Sequence, residues 1–315
     1  MNLGSEAFIL VDSVVFNCTG LLFVVLGVFT SIRAAGFPDL TVDGSFTIGA
    51  ALYSVCLASG RGTPLALSLA VVGGAAGGLM TWTINDRLGV GKVVSGILSM
   101  IILILSAPYV SGGSTKSLLN VVSFHSTLDR LDARLSQSIL GDQPYQTHLV
   151  FSAVWLILFA IAGGAVLLVL RTRKGLRLRY LGSATSPTLV PKPERRRLLL
   201  AALMIGNALI AIGGGIEAQR RGGYTNNMGI GMLIVALAVL VLGEALIKAY
   251  RKREYLRLSE YAVAVVMGCI VYSTGIQGLL ALRIGAVDLR LLTAIFLLLL
   301  LGIAGRAYSS STKLF

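Results

Sequence analysis

Nine apolar runs, most of them close to the thickness of a bilayer, constrain this 315-residue chain more than anything else in it. They fall at about 7–32, 44–59, 64–84, 93–110, 149–170, 198–217, 228–249, 260–281 and 289–306. An α-helix rises 1.5 Å per residue, so roughly 20 apolar residues cross a hydrocarbon core of about 30 Å. Within that layer no water can bond the backbone, and a helix satisfies its own N–H and C=O groups. The expected fold is therefore all-α. It is a polytopic membrane helix bundle of about nine transmembrane helices, with the second and fourth runs short or glycine-interrupted in the manner of broken helices. Only 13% of residues are charged, about half the share in soluble domains. The first run holds Asp12 and Asn17 and lacks a small-residue cleavage site, so it reads as a span rather than a removed leader.

Charge orients the bundle. Arg171 to Arg197, RTRKGLRLRYLGSATSPTLVPKPERRR, lies between two apolar runs and holds nine of the 27 Lys+Arg. Basic loops stay in the cytoplasm, which puts the amino terminus outside and the carboxy terminus inside. On that topology 19 Lys+Arg lie inside and 8 outside, with Arg220 and Arg221 on the outer side against the trend. The net charge of +13 gathers at span ends, where topology and anionic headgroups account for it without nucleic acid. Residues 1–315 read as one transmembrane domain, with 111–148 outside and 171–197 inside.

Smaller features refine the picture. Gly73, Gly74, Gly77 and Gly78 form overlapping small-xxx-small pairs, which predict tight helix packing within one subunit rather than a dimer seam. In 111–148, Leu118, Val122, Leu128, Leu131, Leu135 and Ile139 recur at helical spacing and predict a helix on the outer surface, either cradling an external partner or covering the bundle. Cys18, Cys56 and Cys269 sit in apolar runs as small hydrophobes. His125 and His148 read as surface residues of the outer segment rather than a metal pair. Neither a GxSxG nor an HExxH motif occurs. Gly89-Val90-Gly91-Lys92 lacks the Ser or Thr and the glycine spacing of a phosphate loop, so no catalytic set is expected.

Polar residues beside apolar runs are costly and mark function. In Phe37-Pro38-Asp39-Leu40-Thr41-Val42-Asp43-Gly44-Ser45, Pro38 interrupts a helix before a span resumes. Either the helix is discontinuous and offers free N–H groups, or this is a loop with Asp39 or Ser45 as cap. Gly213-Gly214-Gly215-Ile216-Glu217-Ala218-Gln219, then Gly222 to Gly231 with Asn227, read as unwound backbone lining a cavity or as an outer loop. Asn207, Ser273, Thr274 and Gln277 read first as bonds between helices. Candidates for a translocation path are thus Asp39, Thr41, Asp43, Ser45, Asn207, Glu217, Gln219 and Asn227. Lys174 to Leu181 is compatible with one or two amphipathic turns along the membrane, Leu176 and Leu178 among basic residues, or with a solvated loop.

Three segments in order resemble a known family. DLTVDGSFTIGAA, RTRKGLRLRYLG and NALIAIGGGIEAQRRGGYTNNMGIGMLIVALAVLVLGEAL are similar to segments of permeases of the branched-chain amino acid and ribose class of ABC importers. FPDLTVDG with GIEAQ and NMGIG comes closest to the tryptophan-type permeases. The resemblance runs from about residue 20 to 300. It implies a non-enzymatic permease subunit in a bacterial cytoplasmic membrane, paired with a second and identical subunit. It also implies a cytoplasmic ATPase dimer that carries ATP and Mg, and an external binding protein that delivers an amino acid, aromatic or else branched-chain. The ATPase contact would be Arg173, Lys174, Gly175, Leu176, Arg177, Leu178, Arg179, Tyr180, Leu181 and Gly182. Ser183-Ala184-Thr185-Ser186-Pro187 replaces the family's usual Asn-Pro step and Gly-Ile-Asn turn, and 111–148 is longer than its counterpart. An ion-gradient-driven secondary transporter is the rival reading, with Asp12, Asp39, Asp43 and Glu217 as its carboxylates.

Overall fold

In the computed structural model the described residues are 3–118, 148–183, 190–252 and 256–281, with 128, 131–133, 298 and 302. Helices occupy almost all of them, as the apolar runs require. In chain order they are α1 (Leu3–Val28), continued by a π-helical turn (Phe29–Ala34), α2 (Val42–Ala58), α3 (Thr63–Asp86) and α4 (Lys92–Ser111). After strand β1 (Thr115–Ser117) come α5 (Leu149–Arg171), α6 (Arg173–Ser183) and α7 (Lys192–Arg220). Strand β2 (Gly223–Thr225), α8 (Met232–Arg251) and α9 (Leu258–Ala281) follow. Seven of these are long and apolar enough to span a membrane. The 17-residue α2, about 25 Å long, falls short of the ~30 Å core. The ninth expected span, 289–306, lies outside the described residues apart from two isolated positions.

Two compact units divide the chain. The first is Met1–Leu22, Leu128–Leu158 and Ile234–Phe315. Here acidic side chains meet the start of α5, where free N–H groups favour negative charge. Asp132 accepts from the Val150 and Phe151 N–H groups at 2.8 and 3.2 Å, and Asp12 from that of His148 at 3.0 Å. The His148 ring stacks on Phe16, centroids 4.1 Å apart. Cys18 donates to Ser273 and Gln277 to the Ser13 carbonyl, whereas Thr274 bonds its own helix at Ile270. Of the surface helix expected in 111–148, only 128, 131–133 and 148 are described beyond residue 118, the first four of them helical.

The second unit, Phe23–Thr127 and Phe159–Leu233, is built on α2, α3, α4 and α7. The small-residue seam of α3 packs within it. A Cβ on Gly74 would strike Ala211 of α7 at 2.6 Å, and one on Gly78 would lie 2.6 Å from the Leu203 backbone carbon. These contacts are too close for any side chain, so α3 and α7 touch backbone to backbone. Gly78→Val is expected to force the two helices apart and to abolish recovery of monodisperse protein in size-exclusion chromatography. Wild-type recovery would mean that the seam tolerates separation. At the far end of these helices β1 and β2 pair antiparallel, Thr115 opposite Thr225 and Ser117 opposite Gly223. The period-2 signal of two three-residue strands was too short to see in sequence.

Two expectations need correction. The fourth span is an unbroken 20-residue helix whose Pro108 sits in its last turn, before Gly112 ends it at φ +71°. There the proline leaves the rest of the helix intact. Gly213-Gly214-Gly215 is neither unwound nor a loop: α7 continues regularly to Arg220. Its glycines serve proximity instead, Gly214 facing the Phe46 carbonyl and Gly215 lying 3.0 Å (as a built Cβ) from the Tyr53 ring of α2.

Candidate functional site

The interruption expected at Pro38 is present. After the π-helical turn the chain is non-helical over residues 35–41. Gly36 takes φ +62°, which favours a residue without Cβ. Proline has no N–H to donate and disfavours helix at the residue before it. Lys92, the first residue of α4, pins this elbow. Its ammonium lies 3.5 Å from the Gly36 carbonyl and 5.6 Å from the Phe37 ring centroid.

From the elbow a polar network runs into the unit. Asp39 is fully buried. One carboxylate oxygen accepts the Thr41 N–H at 3.0 Å and the other accepts from the Asn207 amide at 2.6 Å. Asn207, also fully buried, donates to the Leu203 carbonyl at 2.9 Å and accepts from the Ser45 hydroxyl at 2.6 Å. Thr41 and Thr81 share a 2.6 Å bond between the start of α2 and α3. Four of the eight candidates, Asp39, Thr41, Ser45 and Asn207, thus form one cluster. The others sit elsewhere. Asp43 accepts from the Gly231 and Leu233 N–H groups at 2.9 and 2.7 Å, and so caps α8 rather than its own helix. Gln219 accepts from the Tyr53 hydroxyl at 2.6 Å. Glu217 binds both Arg220, at 2.6 Å, and Arg221, at 2.5 Å. Both arginines that stand against the expected charge bias are thus tied to one buried carboxylate. Asn227 is exposed, its carbonyl accepting from the Ile230 N–H.

Removing the Asp43 carboxylate leaves two helix-end N–H groups of α8 without their acceptor, at a cost of about 1–2 kcal/mol. Asp43→Ala is therefore expected to raise hydrogen exchange at Gly231 and Leu233 about fivefold to thirtyfold. Unchanged exchange would remove Asp43 from this role.

The basic segment folds as an 11-residue helix, three turns where one or two were expected. Its start is set by Thr172, whose hydroxyl accepts the Gly175 N–H at 3.2 Å as an N-cap does. Gly175 and Leu178 are buried. Gly175 packs on the backbone of Val169 and Leu170, and Gly182 lies against the elbow, a built Cβ being 2.7 Å from the Ala34 carbonyl and 3.0 Å from the Gly36 nitrogen. Positions 175, 178 and 182 share one helical face. Arg173, Lys174, Leu176 and Arg177 are exposed, Arg173, Leu176 and Arg177 on the side away from that face, with Leu176 54% accessible. Arg177 pairs with Glu194 in the first turn of α7. Arg179, Tyr180 and Leu181 are half-buried. Thr172, Glu194, Gly36 and Lys92 were missed in sequence. Only Thr172 left a signal there, as a capping residue just before the basic helix.

A glycine-packed bundle with buried polar joints and one basic helix outside it suits a membrane transport subunit, and comparison with known proteins agrees. Residues 10–304 match the family described as branched-chain amino acid transport system / permease component. A tyrosine transport system permease protein of Clostridioides difficile (strain R20291) is 27% identical over 278 residues, covering 88% of this chain and 85% of its own. An uncharacterized protein of Rickettsia prowazekii (strain Madrid E) is 27% identical over the same length, covering 88% of this chain and 91% of its own. No solved structure matches significantly. The family match spans nearly the whole bundle, from the first apolar run to the last, and the chain belongs to the branched-chain amino acid transport permease family: a multi-pass membrane protein, in a bacterium of the inner membrane, and a transport component rather than an enzyme.

Proposed function

We propose that this chain, as a single permease domain over 1–315, is the membrane subunit of an ATP-driven importer of a small solute. Two identical copies form the pathway, a cytoplasmic ATPase dimer supplies ATP and Mg, and an external binding protein delivers the solute. The solute is an amino acid, aromatic in keeping with the tyrosine permease relative, or branched-chain in keeping with the family description.

One observation carries the proposal: α6 exposes Leu176 beside Arg173 and Arg177 while its other face rests on the elbow at Gly36. An exposed apolar side chain flanked by cations suits an acidic-rimmed groove on a soluble partner. Movement of that partner reaches Gly182, then the elbow, then Asp39 and Asn207. Coupling of this kind works by favouring one of two arrangements of packed helices. Residues 173–182 are the ATPase-coupling segment in this proposal, with Arg173, Leu176 and Arg177 toward the ATPase and Gly175, Leu178 and Gly182 toward the bundle. Asp39, Thr41, Asp43, Ser45, Glu217, Gln219 and Asn207 act on the pathway by fixing helix positions, since their polar groups are engaged within the chain. Asn227 is the exposed member, and solute selectivity rests mainly with the binding protein.

The test is purification of the tagged chain in mild detergent with assay of the eluate. A co-purifying ATPase in stoichiometric amount is expected. A chain that purifies alone and moves solute under an ion gradient in vesicles would overturn the proposal in favour of a secondary transporter.

A further inference from the structure

At the inner end of the second unit a cleft of about 720 Å³ opens between the end of α3 and the first turns of α7. Its walls include no residue of α6 and none of the polar network. Arg87, Lys192, Arg196 and Arg197 bring four positive charges to it against the single carboxylate of Asp86. That carboxylate is engaged by Arg196 at 2.9 Å. Among the described residues Arg87, Lys192 and Arg197 have no carboxylate partner. Three cations therefore converge on one concave surface with nothing in the described chain to balance them.

Two further walls, Trp82 and Leu200, are not what a site for a soluble anion needs. Depth explains them. The apolar part of α7 begins at Leu198, so Lys192 stands about 9 Å beyond it at 1.5 Å per residue. The polar layer of a bilayer is about 5–8 Å thick on each side. Arg196 and Arg197, within about 3 Å of Leu198, thus lie at headgroup level, Lys192 at the outer margin of that layer and Leu200 at the edge of the hydrocarbon, while an indole such as Trp82 favours the boundary between polar layer and core.

We propose that this cleft binds the phosphodiester headgroup of an anionic glycerophospholipid, with Arg87, Lys192 and Arg197 around the phosphate and Trp82 and Leu200 against the start of the acyl chains. Guanidinium groups match phosphate oxygens in pairs, and basic pockets between membrane helices on the cytoplasmic side favour such lipids. A carboxylate-bearing protein segment would use the cations and leave the indole and leucine without a role. The site lies beside the seam of α3 and α7, so an occupied cleft braces the two helices that pack most closely.

The chain has two tryptophans, and Trp82 stands in the cleft, which makes it the reporter. The full chain, as wild type and as Trp155→Phe, is placed in phosphatidylcholine nanodiscs with increasing fractions of chain-brominated phosphatidylglycerol. Quenching of Trp82 is expected at a lower mole fraction than with brominated phosphatidylcholine. In Arg87→Gln/Arg197→Gln the half-quenching fraction should rise about 30-fold, from about 1 kcal/mol per cation near the surface. Equal quenching by the two lipids, or an unchanged double variant, would overturn the proposal. Thermal stabilisation by millimolar inorganic phosphate equal to that by phosphatidylglycerol would assign the cleft to free phosphate and overturn the lipid. Retained lipid quenching with lost ATPase co-purification in the double variant would assign it to the ATPase and likewise overturn it.

Discussion

Replacing Asn207 with leucine is expected to lower the thermal stability of the purified chain by at least about 6 °C. The amide is the joint of the buried network, bonding Asp39, Ser45 and the Leu203 carbonyl at 2.6–2.9 Å. Leucine keeps the branched skeleton, but its two methyl groups are bulkier than the amide, so some overpacking adds to the polar loss. Ser45 loses an acceptor and Asp39 a donor, both with no exposure to water. Each buried polar group left without its partner costs about 1–3 kcal/mol. At about 2–4 °C per kcal/mol for a domain of this size the shift is readily read in detergent. Transport and ATPase stimulation should fall with it, because the network ties the elbow to α7. Asp39→Asn/Asn207→Leu is expected to recover part of the stability, since a neutral amide is less costly to leave under-bonded than a carboxylate. Wild-type stability in the single variant would show that water or rearrangement serves Asp39 as well as Asn207 does.

Much of the bundle could be read from the chain because one physical fact, the length of an apolar run, determines where a spanning helix starts and stops. Eight expected spans have counterparts within a few residues among the described helices. The break at Pro38 was legible for the same kind of reason, being local chemistry at one residue. What failed was local reading of features whose cause is a distant partner. Gly213 to Gly215 have the composition of a loop, yet they are helical, with α2 lying against Gly214 and Gly215. Asp43 looks like the first-turn acid of its own helix, yet its carboxylate serves α8, 188 residues away at Gly231. Arg220 and Arg221 read as exceptions to the charge rule, yet both are tied to the buried Glu217 one turn earlier. The candidate site followed the same division. The basic helix was visible as a charge run, but which leucine it exposes depends on contacts with Val169, Leu170 and the elbow that no spacing encodes.

That exposed leucine carries the second large expectation. Leu176→Asp should reduce solute uptake by at least about tenfold, and binding of the ATPase by about 30-fold, while leaving thermal stability unchanged. Leu176 is 54% accessible and faces away from buried Gly175 and Leu178 and half-buried Gly182, so its loss leaves the unit's packing intact. An apolar anchor at the centre of an interface is worth 2 kcal/mol or more, about 30-fold in affinity, and a carboxylate there would also repel an acidic rim. Arg177→Glu is a poorer test, because it breaks the pair with Glu194 within this chain and mixes a folding effect with a docking effect. Arg177→Glu/Glu194→Arg restores the pair with the charges exchanged. If docking uses the charge of Arg177, the double variant stays uncoupled; if only the internal pair matters, it recovers. Leu178→Asp is the opposite control, since that side chain is 6% exposed, and its loss should unseat α6 from the bundle. Separate outcomes at 176 and 178, two residues apart on one helix, would assign one face to the partner and the other to the elbow. Equal stability loss at both would make α6 a structural strut, and coupling would then need another contact.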